Sequence, residues 1–190
     1  HCFGDWKEVF NLPKFADAVI IATPDNLHYD PCMVALAAGY DVLLEKPIAQ
    51  TEKECKNILK QAKKYGRIVG VCHVLRYSPY FRALKRVLDE GRVGDVLSIQ
   101  HLEPIRFHHF AHSYVRGNWQ SAKQTTPLIL AKACHDLDIV RWLLNKPCKQ
   151  VTAFGDLSFF KRQNEPAGAA DRCEDCAVES QCPFSAQRIY

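Results

Sequence analysis

Three short apolar runs, at residues 18–22, 42–44 and 68–74, alternate with segments that carry helix signals, and this alternation constrains the chain more than any other feature. The first run is β-branched and stops at Thr23-Pro24, as expected of a strand buried on both faces. A helix is expected next, with Asp30 as its cap, Pro31 in its first turn and Gly39 at its left-handed stop. After the second run, Thr51 and Glu54 have capping-box spacing, Cys55, Ile58, Leu59 and Ala62 recur at three- and four-residue steps, and Gly66 ends the helix. Strand, helix, strand, helix, strand with short connections requires right-handed crossovers and a parallel sheet.

Ser78-Pro79 opens a further helix in which Phe81, Leu84, Val87 and Leu88 keep a helical period up to Gly91. Beyond Gly94 the pattern changes. Residues 96–104 and 151–159 alternate as longer strands with one exposed face, and a helix is expected over about 128–144 between them. This half reads as α+β, with a mainly antiparallel sheet. Residues 106–126 hold His108, His109, His112, Tyr114, Arg116 and Trp119 without a period, as a site-lining loop or a plain surface loop does.

Composition removes several function classes. Hydrophobic residues make up 47% of the 190, enough for a sizeable core, so the chain is not disordered. The net charge of +4 is scattered rather than clustered, which argues against a nucleic-acid or anionic-membrane partner. No apolar stretch approaches the ~20 residues of a membrane span, and no export signal stands at the start. Of nine cysteines, six are dispersed singly, so reduced thiols and a cytoplasmic location are expected.

Ligands of parallel sheets sit at the carboxyl ends of the strands, here Thr23 to His28, Glu45 to Pro47 and His73 to Tyr77. The run Ala18-Val19-Ile20-Ile21-Ala22-Thr23-Pro24-Asp25-Asn26-Leu27-His28, followed by Gly39-Tyr40-Asp41-Val42-Leu43-Leu44-Glu45-Lys46-Pro47-Ile48-Ala49, resembles the Gfo/Idh/MocA family of NAD(P)-dependent oxidoreductases. The later His135-Asp136-Leu137-Asp138-Ile139-Val140-Arg141-Trp142-Leu143-Leu144 resembles the second-domain helix of the same family. The resemblance implies the C-terminal part of a Rossmann-type sheet in residues 1–77 and part of an α+β substrate and oligomerisation domain in 78–190.

A lysine at the mouth of a buried strand, backed by a proline, is placed to exchange a proton during hydride transfer. The resemblance gives that catalytic role to Lys46, with His135 assisting; a surface lysine and a structural histidine are the plain alternatives. It also implies cofactor contacts from Thr23, Pro24, Asn26, His28, Glu45, Lys46, Pro47 and Arg76, although Pro24 and Asn26 equally suit a simple turn. Lys46, Lys132, His135 and Asp138 are the expected substrate residues, and His73 has a secondary place.

The chain departs from the family's pattern where many of its dehydrogenases carry an aspartate four residues before the histidine. That position is Ala131. Either Lys132 pairs with Asp136 one turn on, or Lys132 or Asp138 reshapes the substrate pocket. Cys173, Cys176 and Cys182 form a Cys-x-x-Cys and Cys-Pro grouping that suits zinc or an iron–sulfur cluster if a fourth ligand exists, and otherwise three free thiols. The family's glycine-rich loop does not occur, so the sequence reads as an internal fragment of a longer polypeptide.

The function expected is hydride transfer between NAD or NADP and a sugar, inositol or related polyol. A redox-neutral NAD-dependent glycosidase and a non-catalytic NAD(H)-sensing relative are the alternatives. Open sheet edges favour self-association, so a homo-oligomer assembled through the second-domain sheet is also expected.

Overall fold

The computed structural model describes residues 2–189. Its fold starts from a short helix, α1 (Trp6–Val9), capped by the Asp5 carboxylate, which accepts from the Lys7 amide. Three strands follow, β1 (Ala18–Ile21), β2 (Asp41–Leu44) and β3 (Val69–Val71), paired in parallel in the order β1-β2-β3. The register sets Ala18 beside Asp41 and Val42 beside Val69. Helix α2 (Tyr29–Ala37) connects the first two strands and α3 (Glu52–Tyr65) the second two.

The punctuation residues act as the sequence predicts at four places. Thr51 and Glu54 form a reciprocal capping box at the start of α3, and Gly66 closes it at φ +61°. Gly39 turns the chain out of α2 at φ +82°, where nothing lies within 4 Å of a notional Cβ. Ser78 caps α4 (Pro79–Asp89) by accepting from the Phe81 amide. Helix α2 differs from expectation. A tight turn at Asp25–Leu27 runs directly into it, so Asp30 sits inside the first turn, beside the positive helix end, and does not cap.

Alternation across the sheet selects which side chains are buried. Ile21, Val42 and Leu44 point toward α2 and α3 and pack with Cys32, Leu36, Tyr40 and Ile58 into one core. Ile20 and Leu43 lie on the opposite face, 71% and 43% exposed, so β1 is covered on one face and not on both.

Two compact units emerge from the contacts. One comprises the residues up to His101 together with Ala122–Lys146; the other comprises Leu102–Ser121 and the residues from Pro147 onward. The first unit therefore keeps α4 and takes back the segment that follows the aromatic loop. That segment holds α6 (Leu128–Ala131) and α7 (Ala133–Leu144), two helices where the sequence predicts one. The break is at Lys132, with φ −115° and ψ −57°, and the His135 amide there bonds the Lys132 carbonyl at 3.1 Å in a tighter turn.

The second unit begins with α5 (Phe107–Phe110) and ends with α8 (Ala186–Ile189). Phe110 stacks on Phe160 at 5.6 Å, and Phe184 meets the rings of Phe107, Phe159 and Phe160 within 5.6 Å. The Arg116 guanidinium donates to the Phe184 carbonyl. Among the described residues the expected antiparallel sheet does not form. Residues 151–158 lie without a ladder partner, with Phe154 96% exposed, as do residues 96–100, with Leu97 95% exposed. A strand needs a neighbour to satisfy its amides and carbonyls, and alternation alone does not supply one. No helix of the described residues is long and apolar enough to cross a membrane.

Candidate active site

The carboxyl ends of β1, β2 and β3 carry the loops in which most of the predicted residues lie. After β1, Thr23, Pro24 and Asn26 are exposed, and the Thr23 hydroxyl donates to the Leu27 carbonyl at 3.1 Å. His28 is 1% exposed and sits beneath this loop. Its Nδ1 lies 2.8 Å from the Pro47 carbonyl and its Nε2 2.9 Å from the Thr23 carbonyl. The ring therefore staples the end of β1 to the end of β2, and neither nitrogen is left for a ligand. Pro47 itself is buried behind a cis Lys46–Pro47 bond.

Asp25 adds a second tie that the sequence did not reveal. Its carboxylate is 5% exposed and accepts from the Thr126 amide at 3.2 Å, from the Thr126 hydroxyl, and from the Asn26 amide at 3.0 Å. Thr126 stands just before α6, so this contact anchors the β1 loop to the chain that leads into α6 and α7. A turn-forming aspartate gives no sign of so distant a partner.

After β2, the half-buried Glu45 carboxylate accepts from the Lys46 amide at 3.1 Å. The Lys46 ammonium donates to the Ala131 carbonyl at 3.1 Å. That carbonyl is available because of the break at Lys132: in a continuous helix it would accept the His135 amide, which here bonds Lys132. The position where many family members carry an aspartate thus meets Lys46 with a backbone oxygen.

His135 and His73 face one another across this point, ring centroids 5.8 Å apart and nearly perpendicular. In both, Nδ1 is buried without a hydrogen-bond partner, and neither ring bonds to any described residue. Burial holds both imidazoles below their ordinary value. For His135 the Lys46 charge and His73 push the same way; for His73 the Asp138 carboxylate opposes, while Arg76 and Lys46 reinforce. Two neutral imidazoles therefore flank a lysine ammonium. The sequence marked His73 only as secondary; its place at the carboxyl end of β3 was the signal available.

The remaining predicted residues have other partners. Arg76 and Asp138 join in a bidentate pair at 2.7 and 2.5 Å, and the Arg76 guanidinium lies 5.9 Å from the Trp142 ring centre. Asp136 accepts from or shares a proton with His101 Nε2 at 2.6 Å. Lys132 stands at the helix break, half-buried. Cys72 and Cys134 lie beside the cluster, and burial raises both thiols, so neither is poised as a thiolate. Among the described residues, Cys173, Cys176 and Cys182 are not brought together as a set of metal ligands, and Cys173 Sγ accepts from the Ala186 amide at 3.4 Å. They do not fit the zinc or iron–sulfur site that their spacing suggested.

Comparison with known proteins bears on this geometry. Residues 1–73 match the model of the oxidoreductase family with an NAD-binding Rossmann fold, and residues 81–178 match the GFO/IDH/MocA C-terminal domain. The chain belongs to the Gfo/Idh/MocA family. Inositol 2-dehydrogenase 2 of Saccharopolyspora erythraea is 33% identical over 138 residues, covering 72% of this chain and 38% of that protein. Inositol 2-dehydrogenase of Pseudomonas fluorescens is 32% identical, covering 75% and 39%. The structure of scyllo-inositol dehydrogenase from Lactobacillus casei with bound NAD(H) and scyllo-inositol superposes with a TM-score of 0.61 at 23% identity, over 75% of this chain and 41% of that one, a likeness of fold. The chain spans less than half the length of the curated relatives it matches.

Proposed function

We propose that this Gfo/Idh/MocA member takes part in hydride transfer between a nicotinamide cofactor and a ring carbinol of a sugar, inositol or related polyol. The observation that carries this reading is the Lys46 ammonium, held at 3.1 Å by the Ala131 carbonyl, with the orphaned Nδ1 atoms of His73 and His135 close by. Buried polar atoms without partners mark where a ligand completes the hydrogen bonding. The exposed Thr23, Pro24 and Asn26 and the half-buried Glu45 line the ends of two strands of a sheet type that binds dinucleotides there, so the residues present fit the nicotinamide end of NAD or NADP.

When bound, the nicotinamide supplies the hydride acceptor or donor. This chain's residues do the rest. In its free-amine form Lys46 takes the hydroxyl proton of the substrate carbinol, and as the ammonium it returns one in the reverse direction, while the neutral His135 hydrogen-bonds the same oxygen and relays the proton to solvent. His28 and Asp25 act beneath them by fixing the β1 and β2 loops. The inositol dehydrogenases named above support the polyol as substrate class.

The test is an assay of the full-length protein with NAD or NADP and a panel of polyols, sugars and aryl glycosides. Reduced-cofactor absorbance and product release are recorded together. Reduced cofactor accumulates if the proposal holds, and Lys46→Ala loses that activity while keeping the far-ultraviolet circular dichroism of the parent. Glycoside release without net reduction would move the assignment to a redox-neutral glycosidase. NADH binding without turnover of any compound would make the protein a sensor.

A further inference from the structure

We infer that His73 and His135 act as a two-imidazole clamp on substrate hydroxyls, with His73 a specificity-determining residue that supplies the polar contact Ala131 does not. This deepens the proposed polyol reading and rests on it. His73 comes from the end of β3 and His135 from the first turn of α7, so two separate elements bring their rings edge to face at 5.8 Å. An edge-to-face imidazole pair inside a core is ordinarily tied by hydrogen bonds to carbonyls or hydroxyls, as His28 is. Here neither ring has such a bond, and both Nδ1 atoms are buried.

Each neutral imidazole offers one donor and one acceptor. A pair therefore suits groups that both donate and accept, which is the chemistry of adjacent hydroxyls on a polyol ring. Ala131 is 3% exposed and contributes only a methyl and its carbonyl, and that carbonyl is engaged by Lys46. Asp138, the α7 carboxylate whose charge acts on His73, is held bidentately by Arg76. Asp136 is engaged by His101. Against these engaged groups, the Nδ1 atoms of both imidazoles are buried without a partner, and a neutral clamp binds hydroxyls at neutral pH without adding charge.

The experiment separates recognition from packing by two substitutions of opposite character in the full-length protein. His73→Phe keeps a ring edge against His135 and removes both nitrogens; His73→Gln keeps a donor and an acceptor and removes the ring. With myo-inositol as the probe substrate, His73→Phe raises KM about tenfold, the loss of roughly one hydrogen bond, with kcat changed much less. His73→Gln keeps KM within about threefold of the parent. NADH affinity, read from cofactor fluorescence, stays unchanged in both.

A structural role predicts the reverse order, with the phenylalanine tolerated and the glutamine harmful, and that order would overturn the clamp. Failure of the activity itself is read separately. If the parent reduces no NAD or NADP, myo-inositol is titrated into the NADH-loaded protein while ring nitrogen resonances are followed. Shifts at both His73 and His135 sustain the clamp, and a shift at neither, or at His135 alone, overturns it.

Discussion

Removing Arg76 is expected to destabilise the first unit more than removing Asp138, although both changes break the same pair. The two bonds, at 2.7 and 2.5 Å, are bidentate, and the Asp138 side chain is 14% exposed against 39% for Arg76. Two unit charges about 4 Å apart attract by about 4 kcal/mol at an effective dielectric constant of 20. Side-chain ordering and solvent at the arginine end reduce this, since exposed pairs contribute about 0–1 kcal/mol and breaking a buried one costs about 3–5. A coupling of about 2 kcal/mol lies between those limits. Arg76→Met leaves the more buried carboxylate unpaired and costs about 3 kcal/mol, whereas Asp138→Ala leaves a guanidinium that keeps solvent and the Trp142 ring, and costs about 1–2. The assay is urea unfolding of the parent, both single variants and the double variant, followed by circular dichroism so that the coupling comes from a complete cycle. A coupling below about 0.5 kcal/mol, or Asp138→Ala costing more than Arg76→Met, would refute the reasoning.

The two imidazoles make stability pH-dependent in a fixed direction. Both are held below the ordinary 6.5, so between their folded values and 6.5 the unfolded chain binds more protons than the native one. Stability therefore rises with pH up to about 6.5, levels off above it, and falls on acidification below it; His135→Gln should flatten the slope of urea midpoints measured across that window. Thr51→Ala removes the hydroxyl that accepts from the Glu54 amide, leaving only the Glu54 carboxylate on the residue-51 amide, and should lower unfolding free energy by about 1 kcal/mol, whereas Thr51→Ser should cost a few tenths at most in the same measurement.

What the sequence made legible follows local chemistry. The capping box at Thr51, the left-handed glycines 39 and 66 and the Ser78-Pro79 start are decided within a few residues of themselves, and they stand where their spacing predicts. The parallel sheet was legible because short apolar runs joined by helical segments leave few other solutions. Pairings between distant segments left no local trace. Asp25 looks like a turn residue and reaches Thr126, and Arg76 and Asp138, each expected to face a ligand, satisfy one another. Residues 96–104 and 151–159 failed for the opposite reason: alternation is a local signal, but a strand exists only with a partner, and neither segment has one among the described residues.

The departure at Ala131 illustrates how backbone replaces side chain in such a site. An aspartate there would bring its own acceptor, and α6 and α7 could then run as one helix with every interior carbonyl bonded within it. With alanine the acceptor has to come from the main chain, which the helix can yield only by breaking. The break at Lys132 does this: the His135 amide takes the Lys132 carbonyl and the Ala131 carbonyl takes Lys46. The ammonium is then held by a neutral backbone dipole where an aspartate would have offered a carboxylate. The same break starts α7 at Ala133, two residues before His135, and so sets that ring on the first turn of the helix opposite His73. One local distortion thereby positions both the lysine and the histidine, and the sequence showed it only as a missing carboxylate.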